Sequence, residues 1–250
     1  MNVDQFVVTP GYVLLDKAEP VSRSPSPEDL CADYIRRGCT LLLVQPPVCS
    51  NNYYRQEYEC LLEKLKGLPV DFMVVPSVDS QVLHAGMVRY FAREKCPFII
   101  VETEDMDALE DVAWGWISQA QCYKRIPLTF NVKNRRNTET NCERLWVNLC
   151  DNYGIIRLTD TIEDGALTLK NLKDSGIYPY KGALSSQAYA DYNLYRRNQE
   201  ELVDEDGYFL YHEAVPSVTV MRGELLQTDQ IIETNTSGRH MTSSIYQHFV

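Results

Sequence analysis

The sequence predicts an α/β fold: short apolar strands alternating with amphipathic helices, then a smaller region of antiparallel strands. Three observations carry this expectation. Brief runs rich in β-branched and aromatic residues recur from Val7 to about Ile162. Helical segments with their own start and stop signals lie between them. After about Ala166 the pattern changes to short strands separated by polar turns.

The strand candidates, in order, are "FVVTPGYVLL", "TLLLVQP" (Thr40–Pro46), "DFMVVPSV" (Asp71–Val78), "FIIVET" (Phe98–Thr103), "PLTFNV" (Pro127–Val132) and "IIRLTD" (Ile155–Asp160). They show little polar alternation, as expected of strands buried on both faces. The first helix, "SPEDLCADYIRRG", has a Ser-Pro start, acids in its first turn, arginines in its last and a stop at Gly38. "NYYRQEYECLLEKLKGL", "VLHAGMVRYFAREK", "MDALEDVAWGWISQAQCYKR" and "TETNCERLWVNLCDNYG" follow. Strict alternation of strand and helix implies a parallel sheet with right-handed crossovers. Periodicity leaves an open doubly wound sheet and a (β/α) barrel equally available.

Beyond Ala166, "LTLKNLKDSGIYPYKGAL" reads as a helix leading into a turn. "ADYNLYRR", "GYFLYHEAV", "SVTVMRGELL" and "QIIETN" read as antiparallel strands. The expected organisation is a barrel-like unit over 1–165. A linker helix and a small β subdomain over 166–250 follow, the latter sharing the strand within 1–13.

Composition narrows the partners. A net charge of −11 argues against nucleic acid, which wants a basic field. The basic "KNRR" of Lys133–Arg136 reads as a solvated loop after a strand. No apolar run approaches the roughly 20 residues of a bilayer span, so no membrane partner is expected. "MNVDQFVVTP" lacks the basic start of a secretory signal, and the expected location is cytoplasmic. The eight cysteines are scattered without a C-x-x-C pair, so buried free thiols are expected in place of disulfides or a structural zinc site. Sixteen tyrosines, with Tyr53/Tyr54 and Trp114/Trp116 on helix patterns, suit packing or an association surface, hence a homo-oligomer or a protein partner. No G-x-S-x-G, glycine-rich phosphate loop or H-E-x-x-H is present.

Motifs at both ends of the chain together resemble the amidohydrolase superfamily, in particular its dihydroorotase, hydantoinase and allantoinase branch. Thr9, Pro10, Gly11, Tyr12 and Val13 match the first half of that branch's T-P-G-F-I-D-x-H-x-H segment. "RGCTLLLVQPP" (Arg37–Pro47) resembles its second strand. "GIYPYKGAL" (Gly176–Leu184), "YADYNLY" (Tyr189–Tyr195), "VPSVTVMRGELL" (Val215–Leu226) and "SGRHM" (Ser237–Met241) resemble its closing segments. The resemblance implies a TIM-like barrel with a small β subdomain. Six strands in place of eight imply a barrel that is shortened, partly open or completed by a second subunit.

The resemblance also implies one or two divalent cations activating water for attack on an amide or imide carbon. The ligands of that chemistry are absent here. Leu14 replaces the motif's aspartate, Asp16 its first histidine and Ala18 its second. None of His84, His212, His240 and His248 ends a core strand, where such barrels place their sites. His84, at a helix start, reads as a cap or a surface residue.

Carboxylates remain. Asp16 stands at the first histidine's place, Glu102 near the strand-four carboxylate and Asp160 at the last-strand aspartate, while Asp79 ends strand three. If they converge, Asp16, Glu102 and Asp160 form an oxygen-only metal set suited to Mg²⁺, Ca²⁺ or Mn²⁺, with Glu102 and Asp160 catalytic. Lys17 or Arg157 would temper their repulsion. The other reading of the same residues is strand ends and helix starts.

Two functions follow. The first is a degenerate amidohydrolase-like protein without a cofactor or cyclic-amide hydrolysis, acting as a binding or assembly protein with a protein or small-molecule partner. The second is a metal-dependent hydrolase of a C–N bond built on the atypical carboxylates.

Overall fold

The computed structural model describes residues 5–17, 21–48, 50–133, 139–162, 165–196, 214–233 and 237–243. The "FVVTPGYVLL" run is two strands and not one: β1 (Phe6–Pro10) and β2 (Tyr12–Leu15) join different sheets. The division falls at Gly11. Pro10 has no N–H to continue a ladder. Gly11 lies so close to the neighbouring stave that a Cβ there would sit 2.3 Å from Thr40 Oγ1.

β2 is followed by helix α1 (Pro27–Arg36), β3 (Cys39–Val44), the short β4 (Pro47–Val48) and α2 (Tyr54–Lys64). Then come β5 (Asp71–Val74), β6 (Ser77–Asp79), α3 (Ala85–Arg93), β7 (Ile99–Thr103), α4 (Trp114–Tyr123), β8 (Leu128–Val132) and α5 (Glu139–Tyr153). The pairings β2–β3–β5 and β4–β6–β7–β8 are all parallel. Pro46 and Pro76, lacking amide donors, interrupt the strands between β3 and β4 and between β5 and β6. The staves nonetheless continue, because Val75 N donates to Val44 O at 2.9 Å and Ser77 N to Pro46 O at 3.1 Å.

The sixth expected strand, "IIRLTD", is reduced to a single parallel bridge between Leu128 and Arg157. Beyond it, Ala166 bridges Leu14 in the antiparallel sense and Leu167 N donates to Val13 O at 3.0 Å. The chain thus returns along the free edge of β2 against the direction of the other staves. Leu158 and Leu167 both enter the interior cluster with Val13, Leu15, Leu41, Leu43, Met73 and Ile100. The interior is packed rather than open, as in other (β/α) barrels.

Alternate residues face outward. Leu14, Leu42, Val44, Val74 and Val101 pack under Tyr34, Ile35, Tyr58, Met87, Phe91 and Trp146 of the helices. This two-sided burial explains the unbroken apolar strand runs. Among the described residues no helix is long and apolar enough to cross a membrane.

Helix α6 (Leu169–Asp174) leads through a turn into β9 (Tyr192–Arg196), β10 (Val218–Met221), β11 (Glu224–Thr228) and β12 (Ile231–Ile232). These strands and β1 form a five-stranded antiparallel sheet in the order β1-β9-β10-β11-β12. The β10–β11 hairpin turns on Arg222 and Gly223, both at positive φ (53° and 80°), the backbone of a two-residue turn matched to strand twist. Residues 207–213 of the expected "GYFLYHEAV" strand lie outside the described residues.

Two devices join the sheet to the barrel. Lys181 Nζ, 1% exposed, donates to Asp71 Oδ2 at 2.7 Å and also to Asp191 Oδ2. Arg222 pairs with Asp71 Oδ1, while its backbone N–H reaches Asp191 Oδ1 at 2.6 Å. The second device is the segment 237–243, which runs beside β5: Phe72 N donates to Arg239 O at 3.0 Å and Met241 N to Phe72 O at 2.8 Å. Gly238 permits this approach, since a Cβ there would lie 1.9 Å from Val70 O.

Candidate functional site

The strands end at one rim of the barrel, where the inward-facing positions become polar. In β7 the residues facing inward are Ile100 and then Glu102. Glu102 Oε1 accepts from Ser77 Oγ of β6 at 2.9 Å, and Oε2 accepts from Asn131 Nδ2 of β8 at 2.9 Å. Both neighbours follow from register, since Ser77 pairs with Ile100 and Asn131 with Glu102. These three residues form part of a cavity of about 570 Å³, with Lys17, Arg23, Gln45, Asp79, Gln81 and Lys133 around it. Lys133 Nζ crosses its rim to Asp79 at 3.2 Å and Glu104 at 3.0 Å.

A second cavity, of about 480 Å³, opens where the barrel is shortened. It lies between β8, α5 and the returning chain, and its lining includes Phe130, Trp146, Arg157, Asp160 and Thr168. Phe130 and Trp146 pack there with ring centroids 5.1 Å apart and planes tilted by 30°. Asp160 Oδ2 accepts from Thr168 Oγ1 at 2.8 Å and Oδ1 from Lys170 Nζ at 3.3 Å. Its backbone exchanges bonds with the Asn171 amide, Asp160 N donating at 3.1 Å and Asp160 O accepting at 3.1 Å. Asp160 thereby ties the end of the last stave to the start of α6.

Asp16 is elsewhere again. It follows β2 on the outward-facing side and is fully buried. Its carboxylate accepts from Val21 N at 2.7 Å and from Tyr34 Oη of α1 at 3.0 Å. Burial pushes its pKa up to about 6, against the lowering effect of those two hydrogen bonds.

The expected convergence of Asp16, Glu102 and Asp160 is therefore corrected: the first faces the helix layer, the second the barrel mouth, the third the seam cavity. The reason is alternation along a strand. Asp16 shares the side of Leu14, so it turns away from the mouth that Glu102 reaches. Of the two cations expected to temper these carboxylates, Lys17 lines the Glu102 cavity and Arg157 the Asp160 cavity.

The residues do not fit the metal centre that the resemblance implies. Among the described residues no three His, Cys, Asp or Glu side chains are grouped to hold a metal ion. His84 caps α3, its Nδ1 accepting from Gly86 N at 3.0 Å, as its position predicted. His240 stacks on Phe72 with centroids 5.4 Å apart. Ala18, His212 and His248 lie outside the described residues. Of the cysteines, Cys31, Cys39, Cys96, Cys142 and Cys150 are buried free thiols.

Sequence reasoning passed over the partners. Ser77 and Asn131, which hold Glu102, sit inside apolar strand runs and were read as part of them. Asp71 belongs to no motif, and Arg222 lies in a closing segment that assigns it no role. Lys181 and Asp191 lie in the segments "GIYPYKGAL" and "YADYNLY", which assign them no role. A polar residue opening an apolar strand, such as Asp71, was the available signal that something charged is buried nearby.

The chain matches no known family model and no curated protein. Solved structures do match. A D-hydantoinase superposes with a TM-score of 0.50 at 11% identity, over 98% of this chain and 90% of that one. The dihydropyrimidinase from Brevibacillus agri gives 0.51 at 11% identity, over 98% and 90%. The atrazine chlorohydrolase from Arthrobacter aurescens, solved with zinc, gives 0.50 at 10% identity, over 91% and 85%. Identities this low speak for the fold alone. With the parallel staves and the separate five-stranded sheet, they show an α/β fold resembling the TIM-barrel amidohydrolases, with no identifiable metal-binding cluster among the described residues.

Proposed function

We propose that this chain is a binding protein on an amidohydrolase-like barrel, without metal-dependent cyclic-amide hydrolysis, and that its barrel mouth holds a small polar molecule. The observation that supports this most directly is the setting of Glu102. Of the three expected site carboxylates, it lines the mouth cavity, and both its oxygens accept hydrogen bonds from neutral donors. A carboxylate held in this way is a fixed hydrogen-bond acceptor rather than a ligand grouped with imidazoles.

The test is to denature the freshly purified protein and identify released small molecules and metals by mass spectrometry. The expected outcome is a bound organic molecule and no stoichiometric divalent ion. A stoichiometric ion, with hydrolysis of a hydantoin, dihydroorotate or allantoin that disappears in Asp160→Ala, would instead support the C–N hydrolase.

Association with a second copy or another protein belongs to the same proposal. Trp116 and Tyr123 are 65% and 66% exposed, seven residues apart on one face of α4. Light scattering at micromolar concentration tests self-association, and a strictly monomeric protein unaltered by Trp116→Ser would remove that part.

A further inference from the structure

The mouth cavity gathers cations on a chain whose net charge is −11. Lys17, Arg23 and Lys133 line it, together with Asp79 and Glu102. Lys133 is committed to Asp79 and Glu104. Glu102 is held by Ser77 and Asn131, both neutral. Lys17 and Arg23 have neither an ion pair nor a side-chain hydrogen bond among the described residues. The lining holds three cations against two carboxylates, and apart from Lys133 with its partners Asp79 and Glu104, two cations face the one carboxylate of Glu102.

The placement of Arg23 is built rather than incidental. Its turn is tied at three points: Val21 N donates to Asp16 Oδ2 at 2.7 Å, Ser22 Oγ to Gln45 O at 2.9 Å, and Lys64 Nζ to Ser22 O at 2.7 Å. These bonds fasten the turn to the end of β2, the end of β3 and helix α2. A basic residue on a fixed turn presents its charge to a ligand at a lower ordering cost than one on a loose loop. Buried Asp16, which reaches no cavity, thereby has a positioning role for one that does.

We propose that the mouth cavity binds a small organic anion, its carboxylate or phosphate group held between Lys17 and Arg23 while an N–H or O–H of the same molecule donates to Glu102. The inference rests on the reading of the mouth as a binding site and adds the ligand's charge and donor. Guanidinium and ammonium groups both suit such oxyanions, the former through paired donors. The cavity volume of about 570 Å³ restricts the anion to a small molecule.

The test is thermal shift and calorimetry at low ionic strength with succinate, L-malate, inorganic phosphate and the neutral isostere succinamide. Malate is expected to bind more tightly than succinate, because its hydroxyl reaches Glu102, and succinamide is expected not to bind. Phosphate binding more tightly than either acid assigns the anion to the phosphate-ester class. The Lys17→Met/Arg23→Met double variant should lose malate affinity at least tenfold while melting like the wild type without probe. Equal shifts with succinate and succinamide, or undiminished malate binding by the double variant, overturn the proposal. So does failure of all three anions to bind. If a neutral molecule is then released from the purified protein, the binding reading survives without the anion; if none is, both fall.

Discussion

Lys181 Nζ donates to Asp71 Oδ2 at 2.7 Å with both side chains sealed from solvent, one from the turn after α6 and the other from the first residue of β5. The contact spans 110 residues and fastens the barrel to the antiparallel sheet through Asp191 and Arg222. Removing Lys181 leaves the two buried carboxylates, Asp71 and Asp191, to Arg222 and backbone donors. Lys181→Met is expected to lower stability by about 3–5 kcal/mol, measured by urea denaturation. Lys170→Ala, which breaks the exposed pair with Asp160, should change it by less than about 1 kcal/mol.

Asp16 makes stability depend on pH in a direction unusual for a carboxylate. Its folded pKa of about 6 lies above its ordinary value of 3.8, so the folded state holds its proton more tightly than the unfolded one. The stability this contributes is fully present below about pH 4, declines as pH rises through about 6, and is then gone. The whole effect is on the order of 3 kcal/mol, from about two pKa units. Melting curves from pH 4 to 8 should show the difference between wild type and Asp16→Asn changing across that window and flat above it. A constant difference would remove Asp16 as the cause.

Glu102→Gln tests the hydrogen-bond assignment at the mouth. Ser77 Oγ and Asn131 Nδ2 both donate to the carboxylate; a glutamine amide keeps both contacts by turning its nitrogen to Ser77, whose hydroxyl can accept, and both bonds are then between neutral groups. A loss of about 1 kcal/mol is expected from the lost charge assistance, and Asn131→Asp in the same background should recover part of it by restoring a charged acceptor. Chemical denaturation of the single and double variants measures both.

Gly238→Ala should release the segment that runs beside β5. Its new methyl would meet the Val70 carbonyl, a backbone atom that cannot turn aside. A cost above about 2 kcal/mol is expected. The diagnostic measurement is hydrogen exchange at Phe72 and Met241, whose amides bond across that contact. Unchanged protection there would show that the segment adjusts without parting.

The alternating elements were legible because each is written locally: Ser26–Pro27 and the acids behind it start α1, and runs such as Leu41–Val44 are apolar enough for burial on both faces. The candidate site was legible only as a set of residue types. Residue type does not say which way a strand-end carboxylate points: Glu102 faces the mouth, Asp16 the helix layer and Asp160 the seam cavity. One residue of phase along β2 separates the barrel mouth from the helix layer, and the sequence of a strand buried on both faces carries no polar alternation to reveal that phase.

By itself, then, the sequence determined the alternation of apolar staves and helices from β2 to α5 and a helix start at His84. These follow from neighbours along the chain. The tertiary structure decided which sheet each half of "FVVTPGYVLL" joins, which carboxylate faces which cavity, and how Lys181 finds Asp71. Those outcomes depend on register and packing between segments far apart in sequence, where a side chain's chemistry is set by the groups that burial brings against it.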